Sequence, residues 1–322
     1  MAAIQAFGAY LPSRIVTNSE LAARLDCEAQ WILDVSGIEE RRYAVSGESA
    51  ASDESVASMG VAAARECLDH AGIKAADVGM ILVSSGSSER RFPGPASTIA
   101  NGLGAPGIPA IDLPIASAGS LFGMAMAAPL SAIHGNVLVI ASEKMSTVAL
   151  REPLERGVAP LFGDGAGACL IGPAVDTGAG HARILDYALH SDGTFAEDLR
   201  LDFDAPLAMN GRSVILQASR KLPSAIGELL EKNGRTAQSV KVFLMHQANQ
   251  NLMDRVARAL DVEAARFYSN IRRYGNTSSA SMLIAAAEWW RDPGPAPGDL
   301  ICFAAFGAGF HWGALLVHES VR

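Results

Sequence analysis

Two hydrophobic periods alternate along the chain. Residues 51–72, ASDESVASMGVAAARECLDHAG, set apolar positions at helical spacing behind an acidic start and ahead of a glycine stop, which predicts an amphipathic helix. VGMILVSSG (78–86) and HGNVLVIASE (134–143) are apolar runs of strand length, which predicts buried strands. This alternation predicts an α/β fold with helices packed on a mostly parallel sheet.

The pattern also repeats. LPSAIGELLEKNGRTAQSVKVFLMHQAN (222–249) follows the helix, loop, strand order of GVAAARECLDHAGIKAADVGMILVSSGS (60–87), roughly 160 residues later. FGDGAGACLIG (162–172) returns in outline as FGAGFHWGALLV (306–317), roughly 145 residues later. ARFYSNIRRYGNTSSASML (265–283) takes the place in the second half that AIDLPIASAGSLFGMA holds in the first. Three similarities in one order argue for two duplicated α/β halves, 1–173 and 174–322. The joint is the turn-rich GPAVDTGAGHA, 172–182. Sites in such sheets form where the carboxyl ends of strands converge. Ser117, His246 and Asn276 each follow a predicted strand.

Composition narrows the class. A chain of 322 residues with 49% hydrophobic and 19% charged residues folds around well-formed cores. A net charge of -8 and the absence of any Lys/Arg run exclude a nucleic-acid-binding surface, though not a local basic pocket. Cys27, Cys67, Cys169 and Cys302 show neither CxxC pairing nor zinc spacing, so free thiols and a reducing, cytoplasmic setting are expected. The opening MAAIQAFGAYLP lacks the basic and apolar regions of a signal peptide, and no membrane span is expected.

The chemistry centres on Ser117, between a short apolar strand and an apolar helix. A serine there ordinarily caps the helix. As a nucleophile it would need a general base at the moment of attack. A cysteine in its place would be ionised by the helix dipole and a nearby imidazole. His246, at the end of VKVFLM, is the candidate base; its bland alternative is a histidine bonded within a strand-end turn. Asn276, in GNTSSAS, is otherwise a turn former. Side by side, His246 and Asn276 would donate to one thioester oxygen and stabilise an enolate. FGAGF (306–310) would present the Ala308 N–H beside that of Ser117 as an oxyanion hole, or else is simply a tight hairpin needing positive φ. GLGAPG (102–107) matches GxGxxG but lacks the strand–turn–helix setting of a dinucleotide site. No GxSxG elbow occurs.

GAYLPSRIVTNSELAARLD (8–26), WILDVSGIEERRYA (31–44), FGDGAGA (162–168), HQAN (246–249), YGNTSSAS (274–281) and FGAGFHWGALL (306–316) together resemble β-ketoacyl-acyl-carrier-protein synthase III of the thiolase superfamily, over essentially the whole chain. The resemblance implies a thiolase-like fold in αβαβα layers. It places Ser117 at the family's acyl-accepting cysteine, with His246 and Asn276 as the other catalytic residues. It implies that Trp31 and Arg156 flank the CoA adenine, that Gly211 and Asn249 line the CoA site, and that Phe92 crosses a homodimer interface to bound the partner's acyl pocket. It implies acyl-CoA as substrate, no cofactor, and transfer of the acyl group through the enzyme to a second substrate.

The departures are as informative. Val35 replaces an Arg that often contacts CoA, and Leu216 and Asn251 replace basic residues that dock acyl carrier protein. Weakened steering of an acidic partner is expected, with Arg90, Arg91, Arg255 and Arg258 as possible substitutes. Ser120 replaces a frequent Phe, which suggests a remodelled pocket. The leading expectation is an acyltransferase that loads Ser117 from acyl-CoA and passes the group to a malonyl thioester or to a hydroxyl or amine of a small metabolite, in secondary metabolism. Three other readings stay open: an ordinary cysteine enzyme carrying an introduced Cys-to-Ser change, a non-acylating thioester-binding partner, and a decarboxylase.

Overall fold

The computed structural model describes residues 2–45, 54–174 and 182–319. The first half opens with β1 (Ala2–Tyr10) and the antiparallel pair β2 (Arg14–Thr17) and β3 (Glu40–Tyr43), which encloses α1 (Asn18–Leu25) and α2 (Ala29–Ser36). It continues through α3 (Val56–Ala71), β4 (Val78–Ser84), α4 (Pro95–Gly102), β5 (Ala110–Leu113), α5 (Gly119–His134), β6 (Asn136–Lys144), α6 (Ser146–Ala149) and β7 (Asp164–Pro173). The second half comprises β8 (Ala182–Ser191), β9 (Leu199–Arg200), β10 (Ala208–Met209), α7 (Gly211–Lys232), β11 (Val242–Met245), α8 (Gln250–Ala259), α9 (Ile271–Tyr274), α10 (Ser281–Arg291), β12 (Leu300–Gly307) and β13 (His311–Glu319).

Nine strands form one sheet in the order β11-β12-β13-β8-β1-β7-β6-β4-β5. Outward from the β8/β1 seam, each half repeats one pattern. β1-β7-β6-β4 and β8-β13-β12-β11 both pair antiparallel, antiparallel, then parallel. β5 adds a parallel edge to β4, and a lone parallel bridge between Phe243 and Phe267 stands in its place beside β11. The mostly parallel sheet expected from the sequence is therefore corrected to a mixed one. β12 and β13 are joined by a tight turn, which permits only antiparallel pairing, and β7 likewise runs back against β6.

Alternate residues of the inner strands enter opposite cores. In β6, Val137, Val139 and Ala141 face the central core, while Leu138 and Ile140 face the core under α3 and α4. In β12, Ile301, Phe303 and Ala305 face the central core, while Cys302, Ala304 and Phe306 face the one under α7 and α8. α5 and α10 fill the middle, completing the αβαβα layering. Strands buried on both faces read as unbroken apolar runs, which is why they were legible in the sequence.

Helix ends follow local chemistry. α3 starts at Val56, later than the sequence pattern implied, because Ser55 and Ser58 form a reciprocal capping box; Gly72 ends it in a left-handed conformation. Residues 46–53 and most of the expected joint, 175–181, lie outside the described residues. Cys67, Cys169 and Cys302 are buried free thiols, and burial raises the pKa of each. Among the described residues, no helix is long and apolar enough to cross a membrane.

Candidate active site

Ser117 lies between β5 and α5 with φ 61, a left-handed backbone that a non-glycine residue rarely adopts. It is not the helix cap. Ala118 takes that place and provides no side-chain bond, so the Ser117 hydroxyl is released from the capping duty expected of it. Gly307 packs directly behind, where a Cβ would overlap the Ala116 carbonyl oxygen. Ala308 follows Gly307 in the turn to β13, and Gly309 has φ 130, as a tight hairpin requires. The Ser117 N–H already donates to Ser278 Oγ at 3.1 Å.

The turn 276–281 organises the rest. The main chain of Asn276 donates to the Leu161 carbonyl (2.8 Å) and accepts from the Gly163 N–H (3.1 Å). Its side-chain Oδ1 accepts the Ser278 N–H at 2.8 Å, which leaves the Nδ2 amide as a donor. His246 directly follows β11, and its N–H donates to the Ala304 carbonyl at 2.9 Å. Its Nδ1 lies 2.7 Å from Ser281 Oγ, which also accepts the Gln247 N–H at 3.0 Å. The helix that follows His246 begins at Gln250, capped by Asn249.

Burial controls the charges. His246 is 4% exposed, and desolvation pushes its pKa down to about 4 against a smaller opposing backbone contact with Ser278. The ring is therefore neutral at neutral pH. Glu143, at the end of β6, is fully buried, and desolvation raises its pKa. Opposing that shift, it accepts from Ser279 Oγ (2.6 Å), the Gly86 N–H (3.0 Å) and Ser87 Oγ. This carboxyl ties the first half to the turn that carries Asn276. Sequence reading missed Glu143, Ser278 and Ser281. The available signals were a carboxylate closing an apolar strand and three serines crowded into five positions after an asparagine.

Ser117, His246 and Asn276 meet at one cavity. Gly211 and Asn249 line it too, with apolar walls that include Phe162, Val214, Ala218 and Phe306. The Asn249 amide is spent on the fold: Oδ1 accepts the Asn251 N–H (2.8 Å) and Leu252 N–H (3.3 Å), and Nδ2 donates to the Val35 carbonyl (2.7 Å). Asn251 also donates to the Asp34 and Val35 carbonyls, which links α8 to α2. The Arg156 guanidinium stacks over the Trp31 ring at 4.6 Å. Phe92 is outside this cavity and 85% exposed. Arg90, Arg91, Arg255 and Arg258 are all exposed, and Arg91 lies over the Phe203 ring at 3.9 Å. Ser120 is fully buried, and its hydroxyl has no hydrogen-bond partner among the described residues.

Known proteins share this architecture. Residues 111–193 match the family model 3-oxoacyl-[acyl-carrier-protein (ACP)] synthase III, and residues 230–318 match the model of its C-terminal part. The β-ketoacyl-[acyl-carrier-protein] synthase III of Geobacillus kaustophilus is 36% identical over 316 residues, covering 98% of this chain and 97% of that one. The crystal structure of 3-oxoacyl-[acyl-carrier-protein] synthase III from Aquifex aeolicus superposes with a TM-score of 0.91 at 32% identity, covering 99% of this chain and 100% of that one. The priming β-ketosynthase of the R1128 polyketide biosynthetic pathway superposes at 0.88 with 30% identity, covering 100% and 97%. The layered fold, the convergence of Ser117, His246 and Asn276 on one cavity, and these likenesses over nearly the full length agree: the chain belongs to the 3-oxoacyl-[acyl-carrier-protein] synthase III family of thiolase-fold condensing enzymes.

Proposed function

We propose that this chain is a condensing acyltransferase that uses serine as its acyl carrier. The Ser117 oxygen attacks the carbonyl of an acyl-CoA, the C–S bond breaks, and CoA leaves as the thiol with the serine proton. The second substrate then takes the acyl group. With a malonyl thioester, carbon dioxide leaves, a C–C bond forms at the acyl carbon, and the ester bond to Ser117 breaks. With a hydroxyl or amine, an ester or amide forms instead.

One observation carries this reading. His246 and Asn276 enter the same cavity as Ser117, with His246 neutral and the Asn276 Nδ2 amide left as a donor. Paired donors of this kind stabilise a thioester enolate as it develops. Stacked Trp31 and Arg156 offer a planar, cationic surface to an adenine. The relatives' names and the polyketide priming enzyme support fatty acid or polyketide synthesis as the setting. The edge strand β5 supports assembly as a homodimer through edge-to-edge pairing. The uncharged Val35, Leu216 and Asn251 favour a small acceptor over an acidic carrier protein.

A second reading, decarboxylation without an acyl-enzyme, is favoured by the low basicity of His246, which leaves Ser117 without a strong base. Intact-protein mass spectrometry after incubation with a panel of acyl-CoAs separates the two. A mass gain of one acyl group, absent in Ser117→Ala, supports the acyl-serine enzyme. No gain with serine but a gain with Ser117→Cys, together with carbon dioxide release from malonyl-CoA, supports the decarboxylase.

A further inference from the structure

Two groups contact the His246 ring among the described residues: the Ser281 hydroxyl at 2.7 Å, the only side chain of the two, and the main chain of Ser278. The Ser281 oxygen has two lone pairs and one hydrogen. One lone pair is taken by the Gln247 N–H at 3.0 Å. No further acceptor for its hydrogen occurs among the described residues, so the hydrogen has one destination, Nδ1 of His246 at 2.7 Å.

We propose that Ser281 is a positioning residue that holds His246 in its Nε2–H tautomer, so that the imidazole serves the cavity as a hydrogen-bond donor rather than as a base. A ring nitrogen that accepts an O–H bond carries no proton, and in a neutral imidazole the proton then sits on the other nitrogen. The alternative in which both nitrogens are protonated is disfavoured by burial of the ring.

Asn276 is set the same way from the same turn. Its Oδ1 is occupied by the Ser278 N–H, which leaves Nδ2 to donate. The Ser278 N–H and the Ser281 hydroxyl thus orient the two donors. The main chain of His246 is fixed by its bond to the Ala304 carbonyl, while Ser281 holds both the ring and the Gln247 N–H that follows it. The catalytic consequence rests on the condensation reading above. The tautomer itself does not.

Nitrogen NMR of uniformly 15N-labelled protein tests the assignment, with His246→Gln as the blank that identifies the resonances. In the wild type, Nδ1 should show the shift of an unprotonated ring nitrogen and Nε2 that of a protonated one. In Ser281→Ala both should move toward the average of the two tautomers, and Ser281→Thr, which keeps the hydroxyl, should restore them. Ser281→Cys provides a weaker donor and an intermediate signature should Ala prove unstable. In turnover, Ser281→Ala should slow the second half-reaction about three- to tenfold, the loss expected for one hydrogen bond, with CoA affinity unchanged. A wild-type ring protonated at Nδ1 and donating to the Ser278 carbonyl would overturn the proposal. So would His246 shifts indifferent to Ser281→Ala. Because the spectra can be recorded on Ser117→Ala protein, an absence of acyl transfer leaves this test intact.

Discussion

Ser117 and Ser278 both hold left-handed backbones, at φ 61 and φ 47, and the N–H of the first donates to the hydroxyl of the second. The other non-glycine residues of this kind among the described residues, Asp26 and Asp261, sit at the ends of α1 and α8, where such geometry is common. Strain at the first pair lies where the halves meet, as expected of a site held by its surroundings. The Ser278 oxygen stands where a substrate oxyanion would accept from Ser117. Ser278→Ala should free that donor and raise the single-turnover acylation rate about two- to tenfold, the range for one hydrogen bond. Rapid-quench measurement at saturating acyl-CoA checks it. A slower variant would mean that the hydroxyl aims the amide rather than competing for it.

Ser117→Cys should acylate faster than the serine protein by about a hundredfold or more, the usual contribution of a general base. A thiol at the N-terminal end of α5 is ionised by the helix dipole, whereas a hydroxyl is not. Release of CoA thiol in the first turnover gives the comparison. Equal rates would show that a base serves Ser117 after all.

His246 was legible because a histidine directly after an apolar strand is conspicuous, and it does follow β11; Ser117 lies a short turn beyond β5, whereas Asn276, expected after a strand, follows the helix α9 instead. β4 and β6 were legible because both of their faces are buried. Sheet direction was not, since an apolar run carries no sign of the strand it will face. Glu143 and Ser279 were invisible for another reason. They are separated by 136 residues and acquire a purpose only when the two halves close on each other. The role implied for Asn249 at the CoA site was half legible. It lines the cavity, but its amide is claimed by α8 and by Val35.

Glu143→Gln should destabilise the fold by about 1–3 kcal/mol, the penalty for a buried polar group that loses its partner. All of its partners donate: Ser279 through both its hydroxyl and its N–H, the Gly86 N–H, and the hydroxyls of Ser85, Ser87 and Ser278. An amide would set two further donors against them. Urea unfolding of the two proteins at pH 7 measures the difference. Unchanged stability would remove Glu143 from its place as the link between halves.

The neutral, buried His246 also gives the fold a pH dependence of definite sign. Its pKa falls from an ordinary 6.5 to about 4 on folding. Between those values the unfolded chain binds a proton that the native chain does not, so this contribution rises with pH. It is fully present above about pH 6.5 and is lost as pH falls toward 4, with a size of about 3 kcal/mol. Burial raises the pKa of Glu143 and takes Asp164 up to about 6, so these two act in the opposite direction and bind protons in the native state first. Wild type alone therefore mixes signs, and comparison with His246→Gln isolates the imidazole. The stability of wild type relative to that variant should drop between pH 7 and pH 4. Activity that needs a neutral His246 should meanwhile persist well below pH 6.5. Urea titrations of both proteins at pH 7, 5.5 and 4 decide the matter, and a difference independent of pH would mean that the ring titrates with the same pKa in the folded and unfolded chains.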